Sequence, residues 1–223
     1  MESHLVNQIH KFTDYYRKNG FLWVCRHIIT NLLHFNKLYV FETEIDKNHQ
    51  IVKAEIPIHI RFLTKSDDDI DRLTKFWPPE HYAPPFSTPE MINTLIKQRL
   101  AAGDEYLIAE HNGDIIHMSW MGFYNAHMFE PYEKPRGLKP GEAIGHSAYC
   151  DENYRGNHIM SAVRSNMLDI LHEKQYEKLV SYVDPNNAAA IAINKRFNGK
   201  VSIKLYLLKI LGFGIHFSSR RVH

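Results

Sequence analysis

Between Glu105 and Ile210 the apolar pattern switches period in a fixed order that few architectures accommodate. Glu105 to Glu110 reads as a strand, and His111-Asn112-Gly113-Asp114 carries the Asn-Gly pair of a tight hairpin turn. Ile115 to Phe123 is the return strand, followed by a loop bearing Pro131, Pro135, Gly137, Pro140 and Gly141. From there strands and helices alternate: a strand over Glu142 to Cys150, a helix from about Gly156 to Glu173 and a strand over Lys178 to Val183. A helix over Asn187 to Phe197 and a long strand over Val201 to Ile210 complete the run. Antiparallel strands followed by a strand-helix-strand-helix-strand run indicate an α/β (α+β) chain with a sheet of mixed direction.

Upstream, Ile56 to Leu63 alternates, with Ile56, Ile58, Ile60 and Phe62 on one face. Ser66-Asp67-Asp68-Asp69 supplies a cap and early negative charge for a helix to about Phe76. Trp77-Pro78-Pro79 ends it, and a Pro-rich loop leads to Thr88-Pro89-Glu90, a cap with Pro at the first helical position of a helix to about Ala102. Lys37 to Glu42 reads as a strand and Asp46 to Gln50 as a polar turn. Residues 4–35 read as two helical stretches broken at Asn19-Gly20. The second carries an apolar stripe of Phe21, Val24, Cys25, Ile28, Ile29, Leu32 and Leu33. The expected organisation is an N-terminal helical extension with a strand over residues 1–50 and one domain over 51–223. The stripe suits a helix packed on that domain or on a second copy in a homodimer. The excess of Arg17, Lys18, Arg26 and Lys37 over Asp14 leaves peripheral membrane contact as the alternative.

Composition narrows the function class. A chain of 223 residues with 44% hydrophobic and 23% charged residues is that of an ordinary globular protein. Size scaling lets it bury about 70% of its surface, enough for one domain. A net charge of +2 lacks the basic excess of a dedicated nucleic-acid binder, so no nucleic-acid partner is expected. Cys25 and Cys150 are too few for a disulfide scaffold, which points to a reducing, cytoplasmic setting. The N-terminus lacks the basic n-region of a secretory signal. Phe21 to Phe35, broken by Arg26, His27 and His34, falls short of the roughly 20 residues that span a bilayer. Among 15 histidines, His111, His117 and His127 lack metal-ligand spacing, and no metal is expected.

The segment Cys150-Asp151-Glu152-Asn153-Tyr154-Arg155-Gly156-Asn157-His158-Ile159-Met160-Ser161 follows a strand and opens a helix. Free N–H groups at such a start form an anion site; Arg155 adds charge and Gly156 permits close backbone approach. About thirty residues on, Asn187-Ala188-Ala189-Ala190-Ile191 opens the next helix. Tyr-Arg-Gly-x-x-Ile, a helix, a strand and then Asn-x-x-Ala-Ile together resemble the GNAT superfamily of acyl-coenzyme A-dependent N-acyltransferases. The resemblance covers residues 105–200 and extends to 56.

That resemblance implies a GNAT fold, with a mixed, mostly antiparallel sheet flanked by helices, and transfer of an acyl group, acetyl in most members, from coenzyme A to a primary amine of a small molecule by direct attack on the thioester. It implies that the amides of Arg155, Gly156, Asn157, His158, Ile159, Met160 and Ser161 hold the pyrophosphate. The pantetheine arm would run beside Ala148, Tyr149 and Cys150, and Asn187 matches the Asn opening the next helix. Two positions depart from the pattern. Small residues are replaced by His158 and Met160, and the Tyr that many relatives place four residues after Ala190 is Asn194. His146 stands nine residues before Arg155, where arylalkylamine N-acetyltransferases carry a catalytic His, with Glu142 on the same strand face as an assistant. His146 equally suits a buried His bonded to a neighbouring strand.

Two alternatives share the fold: a long-chain N-acyltransferase served by an acyl carrier protein, and a non-catalytic binding module. Cys150 reads as an inert strand thiol rather than a nucleophile. Trp77, Tyr82 and Phe86 suit either an acceptor-pocket wall or a packed loop, Trp120 and Phe123 core or pocket lining, and Arg220-Arg221 a solvated tail.

Overall fold

A computed structural model of the protein describes residues 33–77, 88–123, 127–129, 134–210 and 213–220. Among these residues are ten strands. They are β1 (Leu33–Glu44), β2 (His59–Phe62), β3 (Glu105–His111), β4 (Asp114–Gly122), β5 (His127–Phe129), β6 (Lys134–Arg136), β7 (Glu142–Cys150), β8 (Lys178–Val183), β9 (Lys200–Ile210) and β10 (Phe213–Arg220). The helices are α1 (Asp67–Phe76), α2 (Pro89–Ala101), α3 (Ile159–Glu173) and α4 (Ala188–Arg196).

Local chemistry explains the helix starts. The Ser66 hydroxyl accepts the Asp69 N–H and the Thr88 hydroxyl accepts the Met91 N–H, with Pro89 at the first turn of α2. Asn187 caps α4 by accepting the Ala190 N–H at 2.9 Å. α3 begins at Ile159 rather than near Gly156, because Gly156 and His158 have φ of +91° and +56°, outside the right-handed helical region.

Eight strands form one mixed sheet in the order β10-β9-β1-β8-β7-β4-β3-β2. Among the described residues β7 and β8, joined by α3, pair in parallel, and the other pairs in this sheet are antiparallel. β1 lies inside the sheet, with Tyr39 opposite Val183 of β8 and Lys204 of β9. It begins at Leu33, so Leu33 to Phe35 pair as strand although the apolar stripe reads them as helix; the β9 ladder supplies backbone partners that a helix would forgo. The rest of the two N-terminal helical stretches lies outside the described residues.

α1 and α2 cover one face through Ile70, Leu73, Ile92, Ile96, Tyr106 and Trp120. α3 covers the other through Val163, Met167, Leu168, Leu107, Met121 and Leu179. Ile56, Ile58 and Ile60 pack toward the α3 face, but Phe62 is 40% exposed. An ion-pair network fastens α1 to the sheet: Arg61 donates to both carboxylate oxygens of Asp69 at 2.8 Å and to Glu110 at 2.9 and 3.0 Å. Arg72 adds a 2.8 Å bond to Glu110. The Arg61 guanidinium holds the Asp69 carboxyl well below the usual carboxylate range.

Two elements depart from expectation. The loop after β4 contains the two-stranded ribbon β5–β6, which tolerates Pro135 because a ribbon edge needs no further N–H donor. The chain end pairs with β9 as β10, so Arg220 closes a strand instead of a tail; Phe217 stacks on Tyr206 at 5.0 Å. Among the described residues no helix is long and apolar enough to cross a membrane, and no His, Cys, Asp or Glu group could hold a metal ion.

Phe41 in β1 is 1% exposed. Phe41→Ala is expected to cost about 3–5 kcal/mol in chemical denaturation. A loss under 1 kcal/mol would show that β1 is not integral to the core.

Candidate functional site

The parallel pairing of β7 and β8 runs from Glu142–Lys178 to Gly145–Ser181 and stops, although β7 continues to Cys150. The cause lies in β7. Against β4, Trp120 faces His146 and Met118 faces Tyr149, so β7 holds an extra residue over this stretch. Ser147 takes up the bulge with φ +48°, a left-handed conformation that costs a non-glycine residue roughly 1–2 kcal/mol. The bulge turns the strand's end away from β8 and opens a gap in the middle of the sheet.

α3 starts at the outer end of that gap. No side chain caps its N-terminus, so the first-turn amides and the helix dipole face a cleft of about 650 Å³. Its wall includes Ala148, Cys150, Arg155, Gly156, Met160 and Asn187. A Cβ on Gly156 would meet nothing within 4 Å, so glycine is required there by its φ of +91° and not by space. Arg155 sits at the mouth, paired with Glu152 at 2.9 Å and donating through Nε to the Cys150 carbonyl at 3.4 Å. Arg196 of α4 brings a second cation, donating to the Ser161 hydroxyl at 3.0 Å.

A second cavity of about 220 Å³ continues inward between β7 and β8. It shares Ala148, Met160, Asn187, Ala190 and Ile193 with the outer cleft, so the two form one passage. His146 lines it and stacks on Trp120 at 4.9 Å and 17°, its Nδ1 3.1 Å from the Ser147 hydroxyl. Since Trp120 belongs to the α1–α2 core, His146 stands where the passage meets the opposite face of the sheet. Deeper in lie Arg164 and Asn194, both buried. Arg164 Nη2 donates to the Ser181 hydroxyl and the Asn194 carbonyl oxygen, each at 3.2 Å, and the Asn194 amide donates to the Ala190 carbonyl at 2.8 Å.

The structure thus gathers His146, Ala148, Tyr149, Cys150, Arg155, Gly156, His158, Ile159, Met160, Ser161 and Asn187 around one passage. Their contributions differ. Ile159 is 2% exposed and offers only its backbone, while Tyr149 packs on Phe76 at 5.4 Å. His158 lines the cleft with its ring tied to Glu55 at 3.2 Å. Asn157, although it lies between Gly156 and His158, lines neither cavity and spends its side-chain amide on the Tyr154 carbonyl at 3.0 Å.

Glu142 lies elsewhere. It is four residues from His146, about 13 Å along the strand, and lines neither cavity. Its buried carboxylate accepts the Lys139 N–H at 3.0 Å and closes the turn before β7. Sharing a strand face therefore does not bring Glu142 to assist His146. Trp77, Trp120 and Phe123 are core, His117 is buried beside the Ser119 hydroxyl at 2.8 Å, and Tyr82 and Phe86 lie outside the described residues. Arg164, Ser181 and Arg196 escaped the sequence reading. An Arg inside the apolar stripe of α3 was the available signal for the first.

The sequence model of the acetyltransferase (GNAT) family matches residues 70–199. No curated protein matches the chain. Among solved structures, a GCN5-related N-acetyltransferase from Sphaerobacter thermophilus superposes with a TM-score of 0.58 at 13% identity, over 91% of this chain and 57% of that one. A GNAT-family acetyltransferase from Colwellia psychrerythraea gives 0.53 at 11% identity over 79% and 57%. An N-acetyltransferase from Staphylococcus aureus Mu50 gives 0.50 at 19% identity over 64% and 83%. At these identities the likeness is one of fold.

Burial pushes the Cys150 thiol up to about 11, so it stays protonated and non-nucleophilic at neutral pH. In a Cys25→Ser background, iodoacetamide should label Cys150 at pH 7.5 at least a hundredfold more slowly than a free thiol of pKa about 8.5. Labelling at the free-thiol rate would contradict a buried, neutral sulfur.

Proposed function

The chain belongs to the GNAT acetyltransferase family, and on that premise we propose that it transfers an acyl group, acetyl in the simplest case, from acyl-coenzyme A to the primary amine of a small molecule. The observation that carries this reading is the uncapped N-terminus of α3 opening onto a passage that leads through the gap between β7 and β8. The residues present fit such a donor. First-turn amides, Arg155 and Arg196 suit a pyrophosphate, and the strand edge at Ala148 suits an amide-bearing arm. Once bound, the donor supplies an activated acyl carbonyl.

The chain's own groups then have defined tasks. The amides from Gly156 to Ser161 hold the anionic end, and Asn187, whose carbonyl oxygen is spent on its cap, has its amide N–H groups left for the passage. His146 manages the acceptor's proton. A primary amine of pKa about 10.4 is protonated at pH 7, and freeing its lone pair costs about 4–5 kcal/mol. An imidazole at the inner end of the passage can take that proton, and the Trp120 stack and the Ser147 hydroxyl fix the ring's orientation. The residue at the position of many relatives' Tyr is Asn194, an amide already engaged with Arg164 and Ala190, so no side chain there acts as a general acid. A thiol of pKa about 8.5 leaves tolerably without one.

Calorimetric titration with acetyl-coenzyme A and free coenzyme A is expected to show micromolar binding of both, and no binding up to millimolar would overturn the reading. Gly156→Val should weaken binding at least tenfold, because valine resists φ +91°. With a competent amine, His146→Gln should keep donor affinity while lowering turnover about 10²-fold. An unchanged turnover would remove His146 as the base.

A further inference from the structure

Among the described residues Arg164 is a cation built into the interior without an anion. It is 8% exposed, and its hydrogen-bond partners are the Ser181 hydroxyl and the Asn194 carbonyl oxygen, with the Met167 sulfur 4.0 Å from Nη1. Each is neutral, and no carboxylate among the described residues forms an ion pair with it. Nε is buried without a hydrogen-bond partner. Burial lowers the guanidinium only to about 10, so it carries its full charge at neutral pH. A buried charge without a counter-ion is expensive, and an apolar residue of similar size would pack into α3 without that cost.

The cation borders a space able to receive what it lacks. Arg164 lines the inner cavity together with Gly145, Met167, Ser181 and Asn194. At about 220 Å³ this cavity is roughly seven times the ~30 Å³ share of a liquid water, and an acetyl group fills only part of it. Its walls come from β4, β7, β8, α3 and α4, with nothing from α1 or α2, so it continues inward from the cleft that would receive the donor. A group reaching Arg164 is therefore the acyl end of the donor, and the acceptor meets it from the His146 side.

We propose that this inner cavity is a carboxylate subsite, with Arg164 as counter-ion to the distal carboxylate of a short dicarboxylic acyl group of the succinyl class. This rests on the reading that the passage holds acyl-coenzyme A. A carboxylate entering the cavity meets a guanidinium whose desolvation has already been met in folding and whose present partners are all neutral. A neutral acyl chain of equal length would leave that charge uncompensated. The transfer balances as for any acyl group: the acceptor C–N bond forms, the C–S bond breaks, the amine loses a proton and the thiol gains one. The distal carboxylate keeps its charge throughout.

Equilibrium binding of coenzyme A, acetyl-, butyryl- and succinyl-coenzyme A to the full chain tests this, with Arg164→Met and Arg164→Lys alongside. Succinyl-coenzyme A should bind at least tenfold tighter than butyryl-coenzyme A. That preference should vanish in Arg164→Met and persist in part in Arg164→Lys. Equal affinities for the two thioesters, or a preference that survives Arg164→Met, would overturn the subsite while leaving the donor reading intact. Failure of coenzyme A and every thioester to bind would overturn both. If Arg164→Met does not fold, the wild-type comparison and Arg164→Lys decide the matter. Glycine and aspartate are titrated into the coenzyme A-loaded protein as well. An Arg164-dependent affinity for them, without a succinyl preference, would move the carboxylate to the acceptor and overturn the assignment to the donor.

Discussion

The parting of β7 from β8 beyond Gly145–Ser181 is the constraint on which the site depends. A sheet with both strands paired to their ends would be closed, and α3 and α4 would lie on an unbroken surface. One extra residue, absorbed by the left-handed Ser147, converts that surface into a passage from the N-terminus of α3 to His146. The strain at Ser147 is small beside the cohesion of the flanking sheet, where β4 holds β7 on both sides of the bulge. The opening can therefore be permanent and need no ligand to create it.

The rest of the molecule keeps that opening rigid. On one side β1 sits between β8 and β9, so β8 is not a free edge next to the gap. On the other, the cross-strand series Tyr106–Trp120–His146 stacks at 4.5 and 4.9 Å and ties the site histidine to the α1–α2 core. The Arg61–Asp69–Glu110–Arg72 network fixes α1 to β2 and β3, which holds the helix layer behind that stack. Both walls of the passage thus belong to well-packed layers, which suits a reaction that needs groups held in position more than it needs new chemistry from the protein.

Charge is distributed unevenly along the passage. The outer end concentrates helix-terminal amides with Arg155 and Arg196, both partly exposed, and the inner end holds Arg164 buried. Between them Cys150 is held neutral by burial, so it serves as wall and not as nucleophile. An anionic outer end and an acyl group in the interior are the ligand features that such a gradient accepts.

Much of this was legible in the residues. Ser66, Thr88 and Pro89 announced their helices because a cap acts on neighbours three residues away. Glu142–Cys150 and Lys178–Val183 were readable as strands from composition and period, and Arg155-Gly156 with Asn187 marked the cleft at the start of α3. Other features depended on distant partners. Glu142 and His146 share a strand face in the sequence, yet one closes a turn and the other lines the passage, because their neighbours differ. β10 and the first residues of β1 exist as strands because β9 offers both of them a ladder. Arg164 looked like one more residue of a helix until Gly145, Ser181 and Asn194 enclosed it. The sequence by itself determined most of the elements, their order and the strand-to-helix turn at Arg155-Gly156, since those follow from interactions within a few residues. Which side chains meet in the passage, and which charge is buried there, was decided only by tertiary structure, because pairing register and burial are set by residues far apart in the chain.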